Sequence, residues 1–199
     1  AGGAGGTVTL NTATTTLSLE DTKIDTAGGA GASAADGSGG NITISDPLTI
    51  GANSTGQVEL TTGSSGAGNI TTSTIDGGTS ISFTSGTGTI STGVLGGTTA
   101  LTGLTYNGPQ TLSGNITLAG DLSITGASTL SANVTIDTNT GSTDGAVTLG
   151  TVDGAYTLTI DSGQGDVEVG VIGGSTALTG LTINTADGAG NDGDITLAG

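Results

Sequence analysis

A chain of 199 residues with 41 Gly, 17 Asp plus Glu, a single Lys or Arg and no Cys or His excludes several classes of protein at once. Gly stands at about three times its usual share and charge, at 9%, well below the usual quarter, but Gly has no three-residue period and only two Pro occur, which rules out collagen and a proline-rich linker. A net charge of −16 repels nucleic-acid phosphates and anionic membrane surfaces, and it leaves divalent cations as natural partners.

Short β runs follow one another along the chain. Thr7-Val8-Thr9-Leu10, Leu17-Ser18-Leu19, Ile42-Thr43-Ile44, Leu48-Thr49-Ile50 and Val58-Glu59-Leu60 alternate aliphatic with polar residues. Ile81-Ser82-Phe83, Ile116-Thr117-Leu118, Leu122-Ser123-Ile124 and Val134-Thr135-Ile136 continue the pattern. Val147-Thr148-Leu149, Leu158-Thr159-Ile160, Val167-Glu168-Val169, Leu181-Thr182-Ile183 and Ile195-Thr196-Leu197 complete it. Each run has one aliphatic face and one Thr or Ser face, where β-branched Thr suits a pleated surface. Helical spacing is sustained nowhere, so the expected class is all-β. Gly, Ser and Thr are abundant enough to make disorder a competitor, but alternating aliphatic runs favour order.

Turn signals separate the runs. Asp36-Gly37, Asp76-Gly77, Asn107-Gly108, Asp144-Gly145, Asp153-Gly154, Asp187-Gly188 and Asp192-Gly193 are Asx-Gly pairs, which tolerate positive φ and close tight corners. The Gly-rich stretch from Ala27 to Gly40 reads as a loop thrown out from the ordered part.

The chain also repeats itself. Val94-Leu95-Gly96-Gly97-Thr98-Thr99-Ala100-Leu101-Thr102-Gly103-Leu104-Thr105 returns further along as Val171-Ile172-Gly173-Gly174-Ser175-Thr176-Ala177-Leu178-Thr179-Gly180-Leu181-Thr182, with 10 of 12 positions identical. Gly40-Asn41-Ile42-Thr43 recurs as Gly114-Asn115-Ile116-Thr117 and as Gly193-Asp194-Ile195-Thr196. Long-period similarity in a chain poor in charge and aromatics signals an array whose units bury one another's apolar faces. The expected fold is a parallel β-helix, or solenoid, with internal repeats of roughly 77 residues. A single continuous domain over 1–199 would hold a partial repeat 1–39, repeats 40–113 and 114–192, and the start of another at 193–199. Three strands per coil would give about 25 residues per coil and about three coils per long repeat. At about 4.8 Å per coil the chain would form a rod some 35 to 40 Å long. Antiparallel hairpins in a sandwich array also fit two-residue alternation, but such sandwiches usually centre on a buried aromatic, and here only Phe83, Tyr106 and Tyr156 are aromatic.

The run Gly114-Asn115-Ile116-Thr117-Leu118-Ala119-Gly120-Asp121-Leu122-Ser123-Ile124-Thr125-Gly126 resembles the repeats of large bacterial β-solenoid surface proteins, the filamentous-haemagglutinin-like adhesins and autotransporter passengers. The resemblance lies in the Gly-Asn-hydrophobic-Thr-hydrophobic style of the rungs and covers nearly the whole chain. It implies a right-handed parallel β-helix, export across an outer membrane, and a role as stalk, adhesin or matrix component. It carries over no catalytic motif.

Chemistry-bearing residues are few. Proton abstraction from an acidic sugar wants a basic group, and Lys23 stands alone. Carboxylate pairs such as Asp166 with Glu168, or Asp192 with Asp194, suit glycoside hydrolysis in type but lack aromatic platforms for a sugar. The expectation is therefore no enzyme and no organic cofactor. Gly188-Ala189-Gly190-Asn191-Asp192-Gly193-Asp194-Ile195 faintly resembles the nonapeptide that binds Ca²⁺ in β-rolls, so Asp192 and Asp194 are candidate Ca²⁺ ligands beside a plainer reading as turn chemistry. Thr-x-Thr pairs such as Thr7/Thr9 and Thr157/Thr159 do not recur at coil spacing, and a Thr-coated β surface explains them without ice binding. Five Asn-x-Ser/Thr sequences, at Asn41, Asn53, Asn69, Asn115 and Asn133, matter as glycosylation acceptors only if the source glycosylates.

No stretch has the roughly 18 consecutive apolar residues of a membrane helix. A single Lys leaves trypsin one target, which suits life outside the cell, and a lack of Cys fits a surface protein built without disulfides. The chain starts without Met or a signal segment and reads as a piece of something longer. The expected function is structural or adhesive: the repetitive stalk of a secreted bacterial adhesin, at the cell surface or outside it. Its partners would be neighbouring repeats or itself, end to end, and a host surface or matrix carbohydrate or protein, with no nucleic acid and no membrane insertion. The alternative is a self-assembling subunit of an extracellular filament, sheath or surface layer, since exposed strand edges template pairing.

Overall fold

The structure is a computed structural model that describes residues 2–12, 16–31, 37–51, 56–64, 68–141, 144–188, 190 and 192–198. Among these there is no helix, and none therefore long and apolar enough to cross a membrane. The chain forms strands of two to five residues in a recurring cycle of three positions. The first cycle holds β1 (Val8–Leu10), β2 (Leu17–Leu19) and β3 (Lys23–Asp25); the second β4 (Ile42–Ile44), β5 (Leu48–Ile50) and β6 (Val58–Thr61). The third holds β7 (Ile70–Thr72), β8 (Ile75–Gly77) and β9 (Ser80–Thr84). In the fourth, β10 (Ile90–Thr92) and β11 (Gly103–Asn107) flank a lone bridge residue, Leu95. Then come β12 (Gln110–Leu112), β13 (Ile116–Thr117) and β14 (Leu122–Ile124), followed by β15 (Ser128–Leu130), β16 (Val134–Asp137) and β17 (Val147–Leu149). The seventh cycle is β18 (Val152–Asp153), β19 (Thr157–Asp161) and β20 (Val167–Val169); the last joins the bridge residue Ile172 to β21 (Gly180–Asn184) and β22 (Ile195–Leu197).

Strands pair with their counterparts one cycle on, always in parallel. Among the described residues four sheets result: β1-β4-β7-β10-β12-β15-β18, β22-β20-β17-β14-β11-β9-β6-β3, β13-β16-β19-β21 and β2-β5-β8. Bridges from Ile75 to Leu95 and from Leu95 to Ile116 link the last two into one group. The architecture is all-β with parallel sheets, and its rotation among three groups is compatible with a parallel β-helix. No antiparallel hairpin occurs among the described strands. Parallel pairing needs a crossover between partners, and here the other two strands of the cycle supply it.

Alternation in the sequence becomes register in the sheet. Val58, Ile81, Leu104, Leu122, Val147 and Val167 succeed one another across six cycles, all buried. Their outward neighbours Glu59, Ser82, Thr105, Ser123, Thr148 and Glu168 form the matching outer column. A one-residue slip would swap the columns, so each aliphatic pair pins its own register. The expected core rungs Ile116/Leu118, Leu122/Ile124, Val134/Ile136, Val147/Leu149 and Leu158/Ile160 are all buried within one continuous apolar cluster from Ile42 to Val169. Each such side chain contributes about 1.5–3 kcal/mol by leaving water.

Three features depart from the sequence reading. The cycle in mid-chain is shorter than the expected coil, with Ile90 already in register on Ile70. The core does use aromatics: Phe83 and Tyr106 are buried and stacked, with ring centroids 5.0 Å apart at 15°. The described parts of the Gly-rich stretch, 27–31 and 37–40, are strand-free but tied in, since Gly29 N–H donates to Gly3 O at 2.8 Å and Gly40 N–H to Thr26 O at 2.9 Å. Residues 32–36 of that stretch, with the Asp36 turn signal, lie outside the described residues.

Candidate functional site

At the corners strand pairing lapses and a backbone N–H would otherwise lack an acceptor. Short Asx side chains supply it. Asn41 Oδ1 accepts the N–H of Asn69 at 2.8 Å, and Asn69 Oδ1 that of Thr89 at 2.9 Å. Asn115 serves Thr135 at 2.9 Å, Asn133 serves Thr157 at 3.0 Å, Asp121 serves Ala146 at 2.9 Å and Asp166 serves Asp194 at 2.8 Å. Each Asx stands just before a strand, and each donor lies in register with it one cycle later. The grammar is Asx at the corner, aliphatic inward, Thr or another polar residue outward. That grammar writes Asn-x-Thr, so four of the five glycosylation sequences coincide with inter-cycle clamps; Asn53 lies outside the described residues.

A second kind of clamp holds a whole loop. Asp76 Oδ1 accepts the N–H groups of Thr98 and Thr99 at 2.6 and 3.2 Å, and Asp153 Oδ1 those of Ser175 and Thr176 at 2.7 and 2.9 Å. Backbone donation from Thr176 and then Ser175 holds the Asp153 carboxyl below the ordinary carboxylate value. The glycine after each Asp is obligatory. Gly77 and Gly154 have φ of 145° and 130°, and a Cβ on either would strike the backbone oxygen of Ile50 or Leu130.

The candidate Ca²⁺ ligands Asp192 and Asp194 are exposed. Asp194 is bound through its backbone: its N–H reaches Asp166, and its carbonyl accepts the N–H of Val167 at 2.8 Å. Among the described residues no group of three or more His, Cys, Asp or Glu gathers as a metal site would require; Ala189 and Asn191 of the motif lie outside them. Asp166 and Glu168 are both exposed on the outer side of β20 and its approach. Lys23 pairs with Asp25 at 3.4 Å and Glu59 at 3.6 Å.

Two polar sites inside the core escaped the sequence reading. Tyr106 Oη and Thr92 Oγ1 are 2.9 Å apart, and burial pushes the phenol well above its ordinary pKa against the lowering effect of that bond. Gln110 Nε2 donates to Ser128 Oγ, while Gln110 Oε1 and Thr72 Oγ1 are buried without a protein partner. Gln110-Thr111-Leu112 and Ser128-Thr129-Leu130 put a polar residue where the pattern wants an aliphatic one, so alternation alone could not flag them. The outer side of the same sheet carries a column of hydroxyls, Thr9, Thr43, Thr71, Ser91, Thr111 and Thr129, one per cycle, that leads to the carboxylate of Asp153. No known family, curated protein or solved structure matches this chain.

Proposed function

We propose that this chain is a stretch of right-handed parallel β-solenoid acting as the repetitive stalk of a secreted, surface-exposed bacterial adhesin. The observation that carries the reading is the rotation of consecutive strands among three groups, each in parallel register with its counterpart one cycle on. The near-universal hand of parallel crossovers supports right-handedness. The work of such a rod is mechanical: it spans, connects and displays. Lys23, the one trypsin target in the sequence, is engaged by two carboxylates. End-to-end contact with neighbouring repeats, an extracellular address and a carbohydrate or protein ligand on a host surface or matrix belong to the same reading.

A second reading, a self-assembling subunit of a filament, sheath or surface layer, rests on the tendency of stacked parallel rungs with unpaired strand edges to template further pairing. Negative-stain electron microscopy with and without a calcium chelator separates the readings. Discrete short rods are expected for a stalk segment; long fibres of uniform width would instead make the chain a polymer subunit. Loss of either form in chelator would make metal binding at the Asp-rich turns part of the fold, and globular particles would sink both readings.

A further inference from the structure

The inner side of the seven-stranded sheet is aliphatic towards both ends and polar in the middle. Ile42 and Ile44 of β4 face inward, as does Val152 of β18. Between them each strand turns one polar side chain inward: Thr72 from β7, Thr92 from β10, Gln110 from β12 and Ser128 from β15. Ile70 and Ile90 stand in register, which sets Thr92 beside Thr72, and Gln110 pairs directly with Ser128. Tyr106 joins from the eight-stranded sheet through its bond to Thr92. At about 4.8 Å per strand the four side chains form a lane about 14 Å long inside the core.

Protein groups satisfy this lane only in part. Thr92 and Tyr106 share one hydrogen bond, so one of their two hydroxyl protons is left over. Ser128 Oγ accepts from Gln110 Nε2 and keeps its own proton to give. Thr72 Oγ1 and Gln110 Oε1 have no protein partner, on residues only 6% and 2% exposed. Turning the Gln110 amide over would exchange an orphaned oxygen for an orphaned nitrogen and cure nothing. A buried donor or acceptor left unmade bears its full desolvation cost, and folded proteins answer such groups with ordered water.

We infer that the lane is a binding site for internal water, with one molecule between Thr72 and the Thr92–Tyr106 pair and another on Gln110 and Ser128. The spacing suits the first. Side chains on adjacent strands stand about 4.8 Å apart, beyond a direct hydrogen bond and within reach of one water bonded to both. The second water donates to Gln110 Oε1 and accepts the Ser128 proton. Each site thus offers the two or more polar partners that a buried water needs. Thr and Ser also hold positions that Ile fills on neighbouring strands, at Ile44, Ile70 and Ile90. The smaller side chains give up volume towards the roughly 30 Å³ that a water takes. Charge selects the same occupant. No buried side chain among the described residues is charged, so an ion would enter uncompensated.

A high-resolution crystal structure of the full chain tests the assignment. Ordered density is expected within about 2.6–3.2 Å of Thr72 Oγ1 and of Gln110 Oε1, and its absence at either atom overturns the water there. Thr72→Val keeps the shape of the side chain and removes the hydroxyl, so its melting temperature by circular dichroism is a second, independent measure. A hydrated Thr72 predicts melting about 2–4 °C lower in the variant. A dry, orphaned hydroxyl would make the same change neutral or stabilising, so equal or higher melting overturns the site. Thr71→Val, one residue away and facing outward, should melt as the parent does. An equal fall there would trace the loss to threonine itself and not to water, and would count against the lane.

Discussion

Residue by residue, the interior has little tolerance for charge and a defined tolerance for polarity. Ile136 and Leu158 are 0% and 1% exposed, so Ile136→Asp or Leu158→Asp would leave a carboxylate unpaired among aliphatic rungs. A loss of about 3 kcal/mol or more is expected, read as a large fall in melting temperature by circular dichroism; unchanged melting would mean the side chain does not enter the stack. Tyr106 shows what the interior accepts. Tyr106→Phe strands the Thr92 hydroxyl and should cost about 1–2 kcal/mol, whereas adding Thr92→Val should restore much of it, since removing both partners leaves no orphan. The raised phenol pKa also has a sign. Its stabilising contribution is complete below the unfolded value of 10.0 and is lost as pH climbs through the folded one, so stability should fall in alkali, and less so in Tyr106→Phe.

Within each element, one acceptor governs the corner. Asn115→Ala should cost about 1 kcal/mol, the net worth of one hydrogen bond plus its orphaned amide, while Asn115→Asp keeps the acceptor and should cost less. Equal losses in the two variants, measured by urea denaturation, would show that the clamp contributes nothing. The loop after β20 responds to acid. Asp153 has a lowered carboxyl pKa, so its contribution is present above the unfolded value of 3.8 and fades as pH falls through the lower folded value. Exchange at Ser175 and Thr176, corrected for intrinsic rates, should therefore rise in acid in the native chain, and Asp153→Asn should remove that dependence. The corners also show where local reading stops. Asp76-Gly77 and Asp153-Gly154 read as turns in the sequence, but both Asp lie in strands, at β8 and β18. Their turn chemistry is spent on a loop of the next cycle, far along the chain, which no local window reaches.

Across the entire molecule, charge is the dominant long-range term. Seventeen carboxylates face a single cation, Lys23, which among the described residues pairs with Asp25 and Glu59, so the net field is one of repulsion. Screening should therefore stabilise the fold: raising NaCl from about 0.01 to 0.5 M shortens the Debye length several-fold and should lift the melting temperature by a few degrees. A fall with salt would indicate that net attraction, not repulsion, is being screened.

Strand class, the inward and outward sides and most of the core are legible in the order of residues alone. Alternation of period two is a local property, and a residue such as Leu122 or Ile124 declares its side through its immediate neighbours. The long-period echo is legible too, as is the Asx-aliphatic-Thr style of the rungs. Three things emerge only in the folded chain: which strand pairs with which, that Gln110 and Ser128 share an interior polar site, and that the two copies of the repeat lie in different sheets. The physical reason is that the three strand groups are locally alike: parallel aliphatic rungs with polar side chains outside. The two copies of one repeat lie on different groups, so the running count of strands through the stack, not the local pattern, selects the place of each.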